Sequence, residues 1–421
     1  MKDRSNYSIE HVFPPTSEQP YGSFLLFLNK TQGVIKFVYH KSDKSDDYYR
    51  YLLVRGKPIL EWQEENGCPT CQQLLRAGNN DFETERADLE IQNVDLAFLA
   101  RNSGNWIEKY SAVLDLFEPG FYLVTCNKYY PTDGDGNLFW ESYDKLKTTK
   151  TINFGYFNYI ENHPCFLISS QGTAKFSQER FKTAKNHFQN YPGLAFHLDA
   201  QISLLLDGHH RALAAAQMGE PFFCVTFSRA SWMWKEGKSM EHMPTHISAA
   251  FNTELASENL SDLAKEWLLK ERKKRTSETR ERYTLNCESF NKDLAILKQK
   301  LAKKIRNYPT LENLEAAIAI GEISQAKIDE ALIRENAFPS LKTILLALIV
   351  KDEVKARELA LKIIKNENWE SCWAVALKYL SRFSDVEIRD RFIDLAASNI
   401  KRQDVTELVD HYLDENADLY K

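Results

Sequence analysis

The apolar positions of this chain change period twice. Over the first 150 residues they come as short runs rich in aromatic and β-branched side chains: "GSFLLFLNK" from Gly22, "GVIKFVYHK" from Gly33, "YYRYLLVRGKPILEW" from Tyr48 and "GFYLVTCNKYY" from Gly120. Runs of this kind between Gly, Asp and Lys turns predict strands. "CPTCQQLLRAG" from Cys68 predicts a tight turn into a short helix closed by Gly78, and "DLEIQNVDLAFLARNSGNWIEKYSAVLDLF" adds helix before the strand at Gly120. These elements describe an N-terminal α+β domain over residues 1–150.

Between about 151 and 238 the pattern alternates. "GYFNYI" and "CFLISS" predict strands, and "SQERFKTAKNHFQNY" predicts a helix with Ser177 as N-cap and Pro192 beyond its end. "LAFHLDAQISLLLD" predicts a strand, His209 to Met218 a helix and "FFCVTF" a strand. This is an α/β unit. From about 239 to 421 apolar residues recur at helical spacing in pieces of roughly a dozen residues. Ser324, Ser340, Asp352 and Ser384 or Asp385 stand where N-caps belong. Short connectors between such pieces predict antiparallel helix pairs in a small α-solenoid, similar to HEAT-type arrays in helix length, with no sharp repeat period.

Composition narrows the class. The chain has 421 residues and a net charge of -5, with a pI near 6.1, which excludes whole-surface attraction to nucleic acid or anionic lipid but allows a local basic patch. The N-terminal segment has no apolar signal region, and no stretch is apolar enough for a membrane span. Seven scattered cysteines form no disulfide framework, so a cytoplasmic, reduced protein is expected.

The candidate chemistry centres on "LLLDGHHRALAAAQMG", residues 204–219. A helix start presents unpaired N–H groups and partial positive charge, and Gly208 lets a ligand approach closely. With His209, His210 and Arg211 on that first turn, the pattern predicts an anion pocket suited to phosphate. Asp207 beside it suits a metal ion, a substrate hydroxyl or the orientation of a histidine. The bland reading is an Asp-Gly turn with space-filling histidines.

Asp207-Gly208-His209-His210-Arg211, preceded by a strand and followed by an alanine-rich helix, resembles the signature of the ParB/sulfiredoxin-like superfamily over about residues 150–230. That resemblance implies binding of a nucleotide phosphate by this loop and helix. Sulfiredoxins resemble the stretch but carry a catalytic cysteine where His209 stands. The segregation proteins carry a further Gly-Glu-Arg-Arg-type box that is missing here. The free-serine kinases are closest, since they also read Asp-Gly-His-His-Arg. The resemblance to them implies a glutamate base, for which Glu161 and Glu179 are the candidates. It also implies Asp207 on a hydroxyl or Mg²⁺, Arg211 on phosphate and a histidine stabilising developing charge.

Other signals are weaker. Cys68 and Cys71 form a C-x-x-C that is half of a zinc site, with His40, His11 and Cys126 the near candidates to complete it. A redox pair at a helix start and two free cysteines in a turn are the other readings. "PTDGDGN" from Pro131 has Asp133, Asp135 and Asn137 at alternate positions, but the twelfth position is Asp144, so a hairpin turn is expected rather than a calcium loop. "KERKKR" from Lys270, with Arg280 and Arg282, is diluted by Glu271, Glu278 and Glu281, so a solvated face is the default and nucleic acid the alternative. Trp232 and Trp234 suit packing against the helices or a stacking platform near the pocket. The expected function is binding of a nucleotide or phosphorylated small molecule, extending to phosphotransfer. A non-catalytic scaffold with a protein partner on the helices is the alternative, and nucleic-acid processing the weakest reading.

Overall fold

The fold is described from a computed structural model that covers residues 6–15, 22–41, 48–64, 73–77, 114–140, 150–152, 165–199, 201–230, 233–235, 238–242, 260–274, 291–334, 337–398, 400 and 402–417. The chain forms two units, Met1–Tyr308 and Pro309–Lys421.

The first unit is built on a mixed seven-stranded sheet. Its strands are β1 (Tyr7–Phe13), β2 (Ser23–Leu28), β7 (Gly120–Tyr129), β9 (Phe166–Ser169), β10 (Gly193–Asp199), β11 (Ile202–Asp207) and β12 (Phe222–Ala230), in the spatial order β1-β2-β7-β12-β10-β11-β9. Strands from either side of residue 150 share this sheet, so the division suggested there by the sequence does not separate two sheets. A second sheet holds β3 (Ile35–Lys41), β4 (Tyr48–Val54), β5 (Lys57–Glu64), β6 (Gln73–Ala77) and β8 (Lys150–Ile152), in that order, and β13 (Met233–Lys235) with β14 (Lys238–His242) makes a hairpin. The strands expected at Gly22, Gly33, Tyr48 and Gly120 are all present.

Two expectations are corrected. Gln73–Ala77 is a strand between β5 and β8, not a helix. Its five residues are too few to show a period, and pairing on both sides overrides helix propensity. "LAFHLDAQISLLLD" is a hairpin rather than one strand, turning between Asp199 and Ile202. The turn carries neither Gly nor Pro to announce it.

Helices α1 (Gln178–Ala184), α2 (His209–Met218) and α4 (Lys292–Ile305) pack over one end of the large sheet. The alanines Ala212, Ala214, Ala215 and Ala216 bring α2 close to Leu205, Phe222 and Cys224, and α4 adds Leu294, Leu301 and Ile305 to the same core. Small side chains permit that approach at high packing density. Helix α3 (Asp262–Lys274) buries Ala264 and Leu268 against Phe13, Leu25, Phe27, Phe121 and Leu123. Its start is held by Glu10 of β1, which accepts from the Ser261 N–H at 2.7 Å and the Ser261 hydroxyl at 2.8 Å. Two helices that the sequence reading groups with the C-terminal array, α3 and α4, therefore belong to the first unit.

The second unit is all helical: α5 (Leu311–Ile320), α6 (Gln325–Ile333), α7 (Leu341–Lys351), α8 (Glu353–Ile364), α9 (Glu370–Leu380), α10 (Val386–Ala397) and α11 (Gln403–Glu415). Ser324, Ser340, Asp352 and Asp385 each accept from a backbone N–H of the first turn, so the N-caps stand where the sequence places them. Trp373 reaches back from α9 to donate to the Ile363 carbonyl at 3.0 Å, and Phe392 stacks on Tyr412 at 3.9 Å. No helix among the described residues is long and apolar enough to cross a membrane.

Candidate functional site

Strand β11 delivers Asp207 to the edge of the sheet, where the chain turns through Gly208 into α2. Gly208 has φ +98, a conformation that costs a side chain about 1–2 kcal/mol. A Cβ there would also lie 3.1 Å from the Arg211 guanidinium, the Gly193 Cα and the Phe222 ring. Gly193 is tighter still: its Cβ would sit 2.6 Å from Phe222 and 2.9 Å from the Asp207 carbonyl. Two glycines in contact thus let β10 run directly beneath the turn. The N-cap of α2 is Gly208, which has no side chain to offer the first N–H groups of the helix.

Arg211 lies one helical turn beyond Asp207, and its Nη2 donates to Asp207 Oδ2 at 2.9 Å, with the two side chains only 12% and 9% exposed. A charge-assisted bond of this length away from bulk water is strong. Cys224 lies beneath it. Burial pushes the Cys224 thiol well above its ordinary value, Cys126 adds to the rise and Arg211 opposes it.

The histidines are buried among aromatic rings. Trp140 lies 5.3 Å from His209 and 5.2 Å, edge-on, from His210, and Phe176 stacks on His210 at 6.0 Å. The Ser177 N–H donates to His210 Nε2 at 3.0 Å, which fixes that nitrogen as an acceptor. Trp140 itself donates to the carbonyls of Gln171 and Gly172. Asp207, Gly208, His209, His210 and Arg211 are therefore assembled at one place, lined by Trp140, Phe139 and Phe176. The sequence carried no local sign of these rings, which come from distant segments.

Glu179 is exposed in the first turn of α1, two residues past Ser177, so the helix that meets His210 also carries this carboxylate. Glu161, Cys68 and Cys71 lie outside the described residues, as do Asp144, Trp232, Arg280 and Arg282. Of the residues considered to complete a zinc site, Cys126 is buried in β7 and His11 packs edge-on against Phe13 at 4.6 Å. Among the described residues no group of three His, Cys, Asp or Glu side chains is placed to hold a metal ion. The 131–137 segment is a closed turn: Asp133 accepts from the N–H groups of Asp135 and Asn137 and from the Asn137 amide. Its carboxylate is occupied by its own loop.

Under the sheet face next to α2, Tyr129 spans three strands. Its hydroxyl bonds Ser203 of β11 and Thr226 of β12, each at 2.8 Å. On β10, the strand between them, the small Ala195 is paired with Thr226, and His197 is paired with Ser203. This buried tie stiffens the end of the sheet from which Asp207 projects.

Comparison with family models, with curated proteins and with solved structures finds no match to this chain.

Proposed function

We propose that this chain binds a phosphate-bearing ligand, a nucleotide by the resemblance its motif carries, at the turn from β11 into α2. The observation that carries the reading is the turn of β11 through Gly208 into the start of α2, with Arg211 held 2.9 Å from Asp207 beside it. Backbone N–H groups there suit a phosphate, and the Arg211 guanidinium is positioned but already paired. A phosphate dianion competes with the single Asp207 carboxylate for that guanidinium. Asp207, once released, is available to a substrate hydroxyl or to Mg²⁺ brought with the nucleotide. In this reading the unit around residues 151–238 is a ParB/sulfiredoxin-like domain acting in the cytoplasm, and Glu179 or Glu161 is the base for phosphoryl transfer. The role of the histidines is positional: His210 is committed to Ser177 and both rings pack against Trp140.

The test is calorimetric titration with ATP, ADP, CTP and GTP, with and without Mg²⁺, on the wild type and on Arg211→Ala. Binding by the wild type that disappears in the variant supports the site and justifies a phosphotransfer screen on small hydroxyl compounds. Absence of binding by all four nucleotides overturns it. The second reading, a HEAT-like scaffold for a protein partner, is favoured by Ile333 at 81% and Phe338 at 100% exposure in the helical unit.

A further inference from the structure

Helix α4 is two-faced in an unusual way for this acidic chain. Leu294, Leu301 and Ile305 are buried against α2. The opposite face carries Lys292, Lys300 and Lys303, and Lys304 flanks it, all four exposed. At 100° per residue, Lys292, Lys300 and Lys303 fall within an arc of about 80°, and the four lysines span about 18 Å of the helix axis. None of the four makes an ion pair among the described residues. The sole acid of the helix is Asp293, in the first turn. The basic cluster that stands out in the sequence is different: there Lys270 is already paired with Glu266 at 2.6 Å.

We infer that the outer face of α4 is a docking surface for the phosphate backbone of a double-helical nucleic acid. Charge complementarity selects a polyanion, because three ammonium groups on one face and a fourth beside it, without ion pairs among the described residues, repel each other until counter-charge arrives. The apolar side of α4 is already spent on α2, and Ile296 is the only large apolar residue exposed on the helix, so the face has too little hydrophobic area to enter a lipid surface. Among the described residues, Tyr308 just beyond the helix offers no ring for stacking unpaired bases, since it is buried with its hydroxyl on the Glu220 carbonyl. Lysines of this kind contact phosphates and carry no base readout, so the binding is independent of sequence. This surface is separate from the α2 turn and does not depend on its ligand.

The experiment is fluorescence anisotropy of the full chain with a labelled DNA duplex and the corresponding single strand over about 50–200 mM salt. Vesicles containing phosphatidylserine are tested alongside by sedimentation. The comparison protein is the triple variant Lys300→Gln, Lys303→Gln, Lys304→Gln, whose far-UV circular dichroism should equal that of the wild type because the three sites are exposed and Gln keeps helix propensity. The expected result is duplex binding with a log–log salt slope of about −3 to −4. The variant should bind at least tenfold more weakly, with the slope reduced by about 1 per lysine removed. No duplex binding at low salt overturns the inference. So does binding of equal strength and slope in the variant, a preference for the single strand, or capture by vesicles alone.

Discussion

The Ser177 N–H and His210 Nε2 meet at 3.0 Å, joining the residue that caps α1 to the first turn of α2. The cap is a double one, since the Ser177 hydroxyl also accepts from Arg180 N–H. Replacing His210 by Leu leaves the Ser177 N–H without this acceptor in a half-buried setting. A loss of about 1–3 kcal/mol is expected. Gln, whose side-chain oxygen can accept, should recover part of it. Urea denaturation of the two variants checks the order, and equal loss in both would refute a hydrogen-bonding role.

Gly208→Ala combines a left-handed backbone with three contacts at 3.1 Å. Gly193→Ala adds a methyl to an ordinary strand position already closed by Phe222. Each should cost about 1–3 kcal/mol, the first through backbone strain and overpacking, the second through overpacking alone. Phe222→Leu should relieve the ring's share of the Gly193→Ala defect, leaving the contact with the Asp207 carbonyl, and less of the Gly208→Ala defect. A double-mutant cycle on thermal stability measures the difference.

The Asp207–Arg211 pair predicts strong coupling. Arg211→Met removes the guanidinium from a buried carboxylate and should cost about 3 kcal/mol, while Asp207→Asn with Arg211→Met should cost clearly less than the two single changes together. Additive single effects would show that the pair is not a unit.

Burial holds the Cys126 thiol far from ionisation, moving it from 9.0 to about 12, and pushes Cys224 upward as well. Above pH 9 an unfolded thiol loses its proton while the folded one keeps it. Unfolding then releases protons, so stability is full below pH 9 and falls as pH rises from 9 towards 12. The slope approaches about 1.4 kcal/mol per pH unit for each such thiol. Denaturant midpoints measured between pH 8 and 10.5 should show the decline, and Cys126→Ala should make it shallower. In the native state neither thiol should react with a disulfide reagent at neutral pH.

Legibility differed by element for physical reasons. Helix α2 was legible to the residue because Gly208 and Gly219 bracket a run of good helix formers, and both glycines take positive φ. The N-caps of the second unit were legible because capping is local. The ring cage was not, since Trp140 and Phe176 reach His210 only through tertiary folding. Strand β6 and the β10–β11 turn failed for lack of length and of turn residues. The basic face of α4 was hidden because its lysines are spread over 13 residues and join only when wound at helical pitch.

Glu10 and Ser261 are 251 positions apart, yet they fasten β1 to the start of α3. Strand β2 likewise waits for β7, and β7 for β12. A ribosome adding about 5–20 residues per second needs roughly 13–50 s to make the second half of the first contact. Throughout that interval the apolar β2 segment, SFLLFL, is synthesised but has no finished sheet to enter. The first unit is thus a late-folding body whose earliest segment needs protection during translation, and truncation before α3 should yield an aggregating product rather than a smaller folded one.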